Sequence, residues 1–485
     1  MDNYQVLIGL EMHCEMSKTN SKVFSPAKNG YSDLANTNIS AIDLAFPGTL
    51  PVVNKEAVKL ALKASMILNC KQPEYMYFER KNYYYPDLPK GYQITQETKP
   101  APVGIYGYLD FEFKGETKRV RINNIHLEED SASQDHYPTF STLDYNRAGV
   151  PLLELVTEPD MHSAEEAVAF LEAMRAIYQY ADISEADSKK GQIRCDVNVS
   201  IMEKDKDIND PANWGTKVEI KNVNSFGGVR DAINYEIDRQ IALKEAGKYD
   251  EMEQQTRRFD EDTMTTIYMR NKADAIDYKY FVEPNIPKYK ISNEWLEDIR
   301  KTIPEMPLER KAKYINSFGL SDYDASILIK DKDISNFYEE TLSLGGEPKK
   351  SANWLTSTIL GYLNKNELEI KDIYLTPKML VDLMKLVDDG KISSKQSKEV
   401  LTHVLEDKKE PTEIVKSLGM EQVGDESLIR ELAIKAIEEH LELIEEYRKG
   451  RNVFDFFVGQ IMKATRGQAN PSLTAKIIKE EIDKR

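Results

Sequence analysis

The stretch Val6-Leu7-Ile8-Gly9-Leu10-Glu11-Met12-His13 decides the fold class. Val6, Ile8, Leu10 and Met12 share one parity, and Leu7, Gly9, Glu11 and His13 the other. A repeat of two residues belongs to a strand with one face on a core and one face free for solvent or a cleft. The pattern returns at Ile193-Arg194-Cys195-Asp196-Val197-Asn198-Val199-Ser200-Ile201, where apolar and polar residues again alternate. Strand-like runs also cover 108–113, 118–125, 152–156 and 217–220. Helical spacing predicts helices over 54–68 and 229–246, and a third after Ser163 and Glu166, which read as a capping box. The first part of the chain therefore reads as α+β, built on a large, mainly antiparallel sheet.

Past residue 290 the strand signal fades. Pro284, Pro287, Pro304 and Pro307 mark the crossing, and helical patterns follow over 308–318, 322–328, 334–344, 351–363, 377–388 and 394–405. A second boundary is expected near Lys408-Lys409-Glu410-Pro411, with a last helical segment beyond it. In that segment Gly467 closes one helix, and Asn470 caps the next with Pro471 at its first position. The stretch Arg80–Gln93, with three consecutive tyrosines and two prolines, reads as an ordered loop.

Composition narrows the function. The chain has 485 residues, a net charge of −17 and 41% hydrophobic residues, enough for real cores and too much for a disordered chain. No apolar run is long enough to span a membrane. No basic segment precedes the first strand, so neither a signal nor a transit peptide is expected. Cys14, Cys70 and Cys195 lie far apart, which excludes a disulfide framework and a CxxC zinc site and fits a reducing cytoplasm. A Walker A loop, a GxSxG elbow and an HExxH motif are all absent, so the chain offers no obvious nucleophile for amide hydrolysis.

What remains is carboxylates and one histidine on strand faces. Glu11, His13 and Glu15 share parity and so project from one face. Glu154 interrupts an apolar run, where a carboxylate is costly unless paired or metal-bound. Glu128, Glu129 and Asp130 follow a strand-like run, and Asp196 sits on a polar face. Carboxylate oxygens with an imidazole suit Mg²⁺ or Mn²⁺, and a two-site arrangement can bridge ATP phosphates. The ordinary alternative is that each acid pairs with a base, Arg194, Lys217 and Lys221 being available. Lys81 and Lys90 are point charges suited to phosphate or to a substrate carboxylate. Near the C-terminus, residues 447–485 hold nine bases against four acids, among them Arg448, Lys449, Arg451, Lys463 and Arg466, next to Phe454, Phe456 and Phe457. Such a patch engages a phosphate backbone, or is an ordinary solvated helical face.

Taken together, several motifs resemble one family. They include Ile8-Gly9-Leu10-Glu11-Met12-His13, Arg80-Lys81-Asn82-Tyr83-Tyr84-Tyr85-Pro86-Asp87 and His126-Leu127-Glu128-Glu129-Asp130. The longest is Leu143-Asp144-Tyr145-Asn146-Arg147-Ala148-Gly149-Val150-Pro151-Leu152-Leu153-Glu154, and Glu219-Ile220-Lys221-Asn222-Val223-Asn224-Ser225 and Gly467-Gln468-Ala469-Asn470-Pro471 follow. The chain resembles, over nearly its whole length, the B subunit of the aspartyl/glutamyl-tRNA(Asn/Gln) amidotransferases, the GatB/GatE family.

The resemblance implies an ATP- and Mg²⁺-dependent transamidase acting on misacylated Glu-tRNA(Gln) or Asp-tRNA(Asn). Ammonia would come from an amidase-type A subunit, and the pair would be clamped by a small C subunit. It implies a cradle domain over 1–292 holding the site, a helical domain over 293–407 and a YqeY-like, tRNA-binding tail over 408–485. Carried over, Glu11, His13 and Glu129 are expected at the metal, with Glu154 and Asp196 as further candidates. Lys81 and Lys90 are expected on phosphate, substrate or the ammonia path. Some relatives carry paired cysteines near residues 30–45 that suggest zinc. Here that region has none, and no zinc is expected. The alternative within the family is a noncatalytic tRNA-docking scaffold.

Overall fold

The computed structural model describes residues 3–484, apart from 189, 224, 272–276, 421–425, 449–452 and 466–468. The chain divides into two compact units, Met1–Pro307 and Leu308–Arg485.

The first unit is built on an eight-stranded sheet. Its order is Thr265–Asn271, Gln255–Asp260, Val218–Val223, Ile193–Glu203, Tyr4–Glu15, Pro151–Thr157, Glu116–Glu129, Gly104–Phe113. Every neighbouring pair is antiparallel except Val218–Val223 with Gln255–Asp260. The two stretches with the clearest alternation pair along their whole length, from Tyr4 opposite Glu203 to Cys14 opposite Ile193. Ile8, Leu10, Met12 and Cys14 of one and Val197 and Val199 of the other are fully buried. Burying a side chain of this size stabilises the fold by about 1.5–3 kcal/mol. That burial also fixes the register. A slip of one residue would drive Glu11 and His13 into the core, at a cost that burying a charge makes prohibitive.

Three helices cover the apolar face: Lys55–Ile67, Ala164–Tyr180 and Phe226–Glu245. Asn54 caps the first by accepting from the Glu56 and Ala57 amides, and Ser225 caps the third by accepting from the Gly228 amide. At the second, Ser163 accepts from the Glu166 amide as the capping box requires. The Glu166 carboxylate, however, accepts from the His162 amide rather than from that of Ser163. The box expected from the sequence is thus shifted by one residue at its outer bond.

One further correction bears on the site. Arg80–Gln93 is not one loop. Glu79–Asn82 and Tyr92–Thr95 are paired strands, joined through the tyrosine- and proline-rich turn and extended by Phe281–Val282. The buried Glu283 binds Arg80 through both guanidinium arms, at 2.5 and 3.1 Å, and the Arg80 guanidinium lies 4.0 Å from the Tyr92 ring centre. The helix Asn293–Arg300, which follows the boundary expected at residue 292, packs Ile299, Trp295 and Leu296 on the core of the first unit.

The second unit is helical, as expected, and carries two separate apolar clusters. One runs from Tyr314 to Val415, the other from Ile429 to Ile482. Asn470 caps the last helix, Pro471–Asp483, by accepting from the Leu473 amide, with Pro471 at its first position. Gly467 lies outside the described residues. Among the described residues, no helix is long and apolar enough to cross a membrane.

Candidate metal centre

The face of the large sheet opposite the helices carries the acids and imidazoles. Strand register sets it out in rows. His126 stands opposite Glu154, Glu154 opposite His13, and His13 opposite Arg194. In the adjacent row Glu11 stands opposite Asp196. Residues directly opposite each other share a face, and their Cβ atoms lie about 4.5–5.5 Å apart. Four strands remote in sequence thereby deliver imidazoles and carboxylates to one place.

Among the described residues, two groups hold donor atoms close enough to share an ion: Glu11, His13 and Glu154, and His126, Glu128 and Glu154. Glu154 joins them. Its Oε2 lies 3.3 Å from Nε2 of His13 and 3.3 Å from Nε2 of His126. Glu11 Oε1 is 3.7 Å from Nε2 of His13, and Glu128 Oε2 is 3.8 Å from Nε2 of His126. A cation about 2.1 Å from each ligand, the bond length of Mg²⁺ or of a first-row metal, separates its donors by roughly 3.0–3.5 Å. The spacing fits after small side-chain adjustments.

His126 supplies a further test. Its Nδ1 bonds Asn124 Oδ1 at 2.9 Å, which leaves Nε2 to face the carboxylates. That Nε2 is buried and has no hydrogen-bond partner among the described residues. An imidazole oriented through one nitrogen, with the other aimed at two carboxylates, is how a metal-ligating histidine is held. Two imidazoles among three carboxylates make the site less purely oxygen than Mg²⁺ ordinarily takes, and so hospitable to Mn²⁺ as well.

Electrostatics shows how strongly these groups are coupled. Burial pushes the Glu11 carboxyl up to about 7, and the neighbouring Glu154 adds to the rise. Burial disfavours the charged form of His13, yet Glu154 and Glu11 outweigh it and lift the imidazole to about 9. His126 is raised well above its usual range against the same burial, first by Glu154. Burial also opposes ionisation of Glu154, but His126 and His13 hold it well below the usual carboxylate range. The cluster binds positive charge, and a divalent cation competes with those protons for the same oxygens.

Lys81 belongs to this region. Burial works against its charge, yet Glu128 and Glu154 hold its ammonium above the usual range, and its Nζ lies 5.0 Å from the Tyr278 ring centre. Lys221 sits at the other end, 2.5 Å from Asp196 Oδ2 and 3.2 Å from Glu219 Oε1. Asp196 is therefore ion-paired, and it borders the cluster through Glu11. Alongside, Arg194 donates to Asp130 Oδ2 at 2.7 Å, and Arg147 approaches the same oxygen at 3.6 Å.

Glu129 does not join Glu11 and His13. It follows Glu128 in a strand and so points to the opposite face. There Lys90 closes on both its oxygens, at 2.5 and 2.6 Å, and the Ile94 amide donates to it at 2.8 Å. Glu129, expected at the metal, is in this structure the partner of Lys90. Behind this pair the fully buried Lys22 donates to the Tyr145 carbonyl at 3.2 Å, with Asp43 Oδ2 at 3.6 Å.

His126 is the site residue the sequence reading passed over, and Glu128 was named among the acids without a place at the metal. The signal was the same parity that exposed Glu11 and His13. The strand was expected to stop at residue 125, whereas Glu116–Glu129 continues through both. Glu97 was also missed, and lies within electrostatic range of His126, Glu154 and Lys81.

Of the C-terminal bases, Lys463 is exposed on the helix Phe454–Ala464. Arg448 ends the helix Leu441–Arg448, while Lys449, Arg451 and Arg466 lie outside the described residues. Phe457 is fully buried there, and Phe456 is exposed, edge-on to His440.

Known proteins share this organisation. Residues 6–297 match the family described as GatB/GatE catalytic domain, and residues 336–482 match the one described as GatB domain. The chain is similar to the aspartyl/glutamyl-tRNA(Asn/Gln) amidotransferase B subunit of Bacillus mycoides, 44% identical over 484 residues and covering 100% of both chains. It is 43% identical over 485 residues to that of Geobacillus thermodenitrificans, again over 100% of both. For Persephonella marina the figures are 44% over 479 residues, 98% of this chain and 99% of the relative.

Proposed function

This chain belongs to the GatB/GatE family of tRNA-dependent amidotransferase B subunits, and on that premise we propose that its sheet face is the site where a misacylated tRNA is amidated. The substrates are Glu-tRNA(Gln), Asp-tRNA(Asn), or both. ATP transfers its γ-phosphoryl group to the side-chain carboxylate of the esterified amino acid. Ammonia then attacks the acyl carbon, the acyl–oxygen bond breaks, and inorganic phosphate leaves with the amide in place. A carboxylate is a poor acyl donor until one oxygen becomes such a leaving group.

The observation that carries this reading is the single oxygen of Glu154 held between two imidazoles, with Glu11 and Glu128 flanking them. Glu11, His13, Glu128, Glu154 and His126 are the residues that would hold Mg²⁺. When bound, it would neutralise the transferring phosphoryl oxygens. The chain's own part is orientation and charge. Asn124 orients His126, Lys81 offers a cation beside Glu128 and Glu154, and Asp196 with Lys221 buffers the Glu11 side.

Lys90 and Glu129, on the other face, suit the ammonia path rather than the phosphoryl site. The ammonia is supplied by an amidase-type A subunit, and a small C subunit completes the complex in the cytoplasm. The C-terminal bases, with Lys463 the exposed and described member, bind the tRNA backbone.

The test is the reconstituted complex with γ-labelled ATP, Mg²⁺, ammonium and misacylated tRNA. The expected result is phosphate release that depends on the misacylated tRNA and is lost in Glu154→Gln. Tight tRNA binding without such release would reject the reading in favour of a docking scaffold.

A further inference from the structure

The Leu308–Arg485 unit contains a cavity of about 380 Å³ that the proposed chemistry does not use. It forms where the helix Pro348–Asn353 widens into one π turn, Trp354–Ile359, before α-helical winding resumes over Leu360–Asn366. In that turn the Leu360 amide bonds the Leu355 carbonyl, five residues back. A π turn gives up hydrogen-bond geometry, and such turns recur at functional positions.

Its lining has a definite chemistry. Trp354, Met384 and Val387 form apolar walls, with the indole half-buried. Thr358 and Ser394 bring hydroxyl groups, and Lys398 stands at the rim with Lys350. Lys350 is held by Asp388 at 2.5 Å, whereas Lys398 has no ion pair among the described residues. Over residues 382–399, Lys385, Lys391, Lys395 and Lys398 are matched by Asp382, Asp388, Asp389 and Glu399, so the positive charge at the cavity is the local one of Lys398.

We propose that this cavity receives one unstacked nucleotide of the tRNA, its base against the Trp354 indole and its phosphate on Lys398. The volume lies within the range of about 300–1,000 Å³ typical of small-molecule sites. A flat aromatic ring, a polarisable methionine, hydroxyl groups for base edges and a cation at the mouth are what an extruded nucleotide requires. A protein ligand fits less well, because the apolar walls are confined to the cavity and its rim is charged. The proposal rests on the tRNA reading of the chain's function and adds a binding site to it.

The test uses the full-length chain, whose three tryptophans are Trp214, Trp295 and Trp354. Deacylated tRNA should quench part of the tryptophan emission, and that part should vanish in Trp354→Phe. Trp354→Ala and Lys398→Glu should each weaken tRNA retention on filters by about tenfold. The melting temperature of each variant reports its fold, and Trp354→Phe keeps the test open if the alanine variant unfolds. Retention at unchanged affinity in the phenylalanine and glutamate variants, with no quench assigned to Trp354, would overturn this inference and leave the transamidase reading standing. Failure of the natural chain to retain tRNA, alone or with its partner subunits, would overturn both. Saturable quenching by AMP that tRNA does not displace would make the cavity a free-nucleotide site and overturn the RNA assignment.

Discussion

Nε2 of His126 lies 3.3 Å from Oε2 of Glu154, buried and without a hydrogen-bond partner among the described residues, while Nδ1 of the same ring is fixed by Asn124. Two strands bring these residues together through cross-strand pairing, 28 positions apart in sequence. The arrangement is stable only if something positive shares the space, either protons or a cation.

The first expectation is stabilisation by Mg²⁺ or Mn²⁺. A cation that binds only the folded chain, at a hundred times its dissociation constant, adds about 2.7 kcal/mol. Scanning calorimetry at matched ionic strength should show a rise in Tm for the natural chain and none for His126→Ala or Glu154→Gln. An equal rise in all three would remove the centre.

Glu129 provides the contrast. It faces Lys90 on the opposite side of the sheet, so Glu129→Gln should change Mn²⁺ affinity less than twofold, whereas Glu154→Gln should lower it more than tenfold. Paramagnetic resonance of free Mn²⁺ measures both. Glu129→Gln should still cost up to about 3 kcal/mol of stability, because it strips a largely buried lysine of its partner.

The Arg80–Glu283 pair holds the small sheet that carries Lys81. Glu283 is buried and bound through both oxygens. Glu283→Ala should therefore destabilise by about 3–5 kcal/mol, and replacing both partners with apolar residues should recover much of the loss. Denaturant unfolding of the single and double variants checks this. A single variant as stable as the natural chain would contradict it.

Gly149 has φ +81°, and a Cβ there would lie 2.9 Å from Asp43 Oδ1, the acid beside buried Lys22. Gly149→Ala meets both backbone strain and that oxygen, at a cost of about 1–3 kcal/mol. The expected readout is a lower denaturation midpoint with an unchanged slope.

For the tail, Lys463→Glu should weaken tRNA binding about equally for every tRNA sequence. It should also reduce by about one the slope of log affinity against log salt. Retention assays across a salt series measure it, and an unchanged slope would remove Lys463 from the RNA face.

Much of this was legible in advance. The parity of Glu11 and His13 marked the polar face because strand side chains alternate whatever surrounds them. Glu154 was conspicuous as a charge inside an apolar run. His126 and Glu128 were less so. Their strand was expected to end before them, and strand ends depend on what pairs alongside. The placing of Glu129 beside Lys90 was hidden for the same reason, since one position along a strand reverses the face, and no local pattern says which of two adjacent glutamates turns toward His13. The strands at Glu79–Asn82 and Tyr92–Thr95 were hidden by prolines and tyrosines that suggest a loop.

The alternation and spacing of apolar residues are enough to make the first part an antiparallel sheet with one apolar face and the rest helical, and to set acids and a histidine on the free face. Those properties follow from periodicity, which is local. Which four strands lie side by side, and so why Glu154 falls between His13 and His126 while Glu129 goes to Lys90, emerges with the folded chain. Strand order and register come from the burial of whole faces against helices distant in sequence, an energy that no single segment contains.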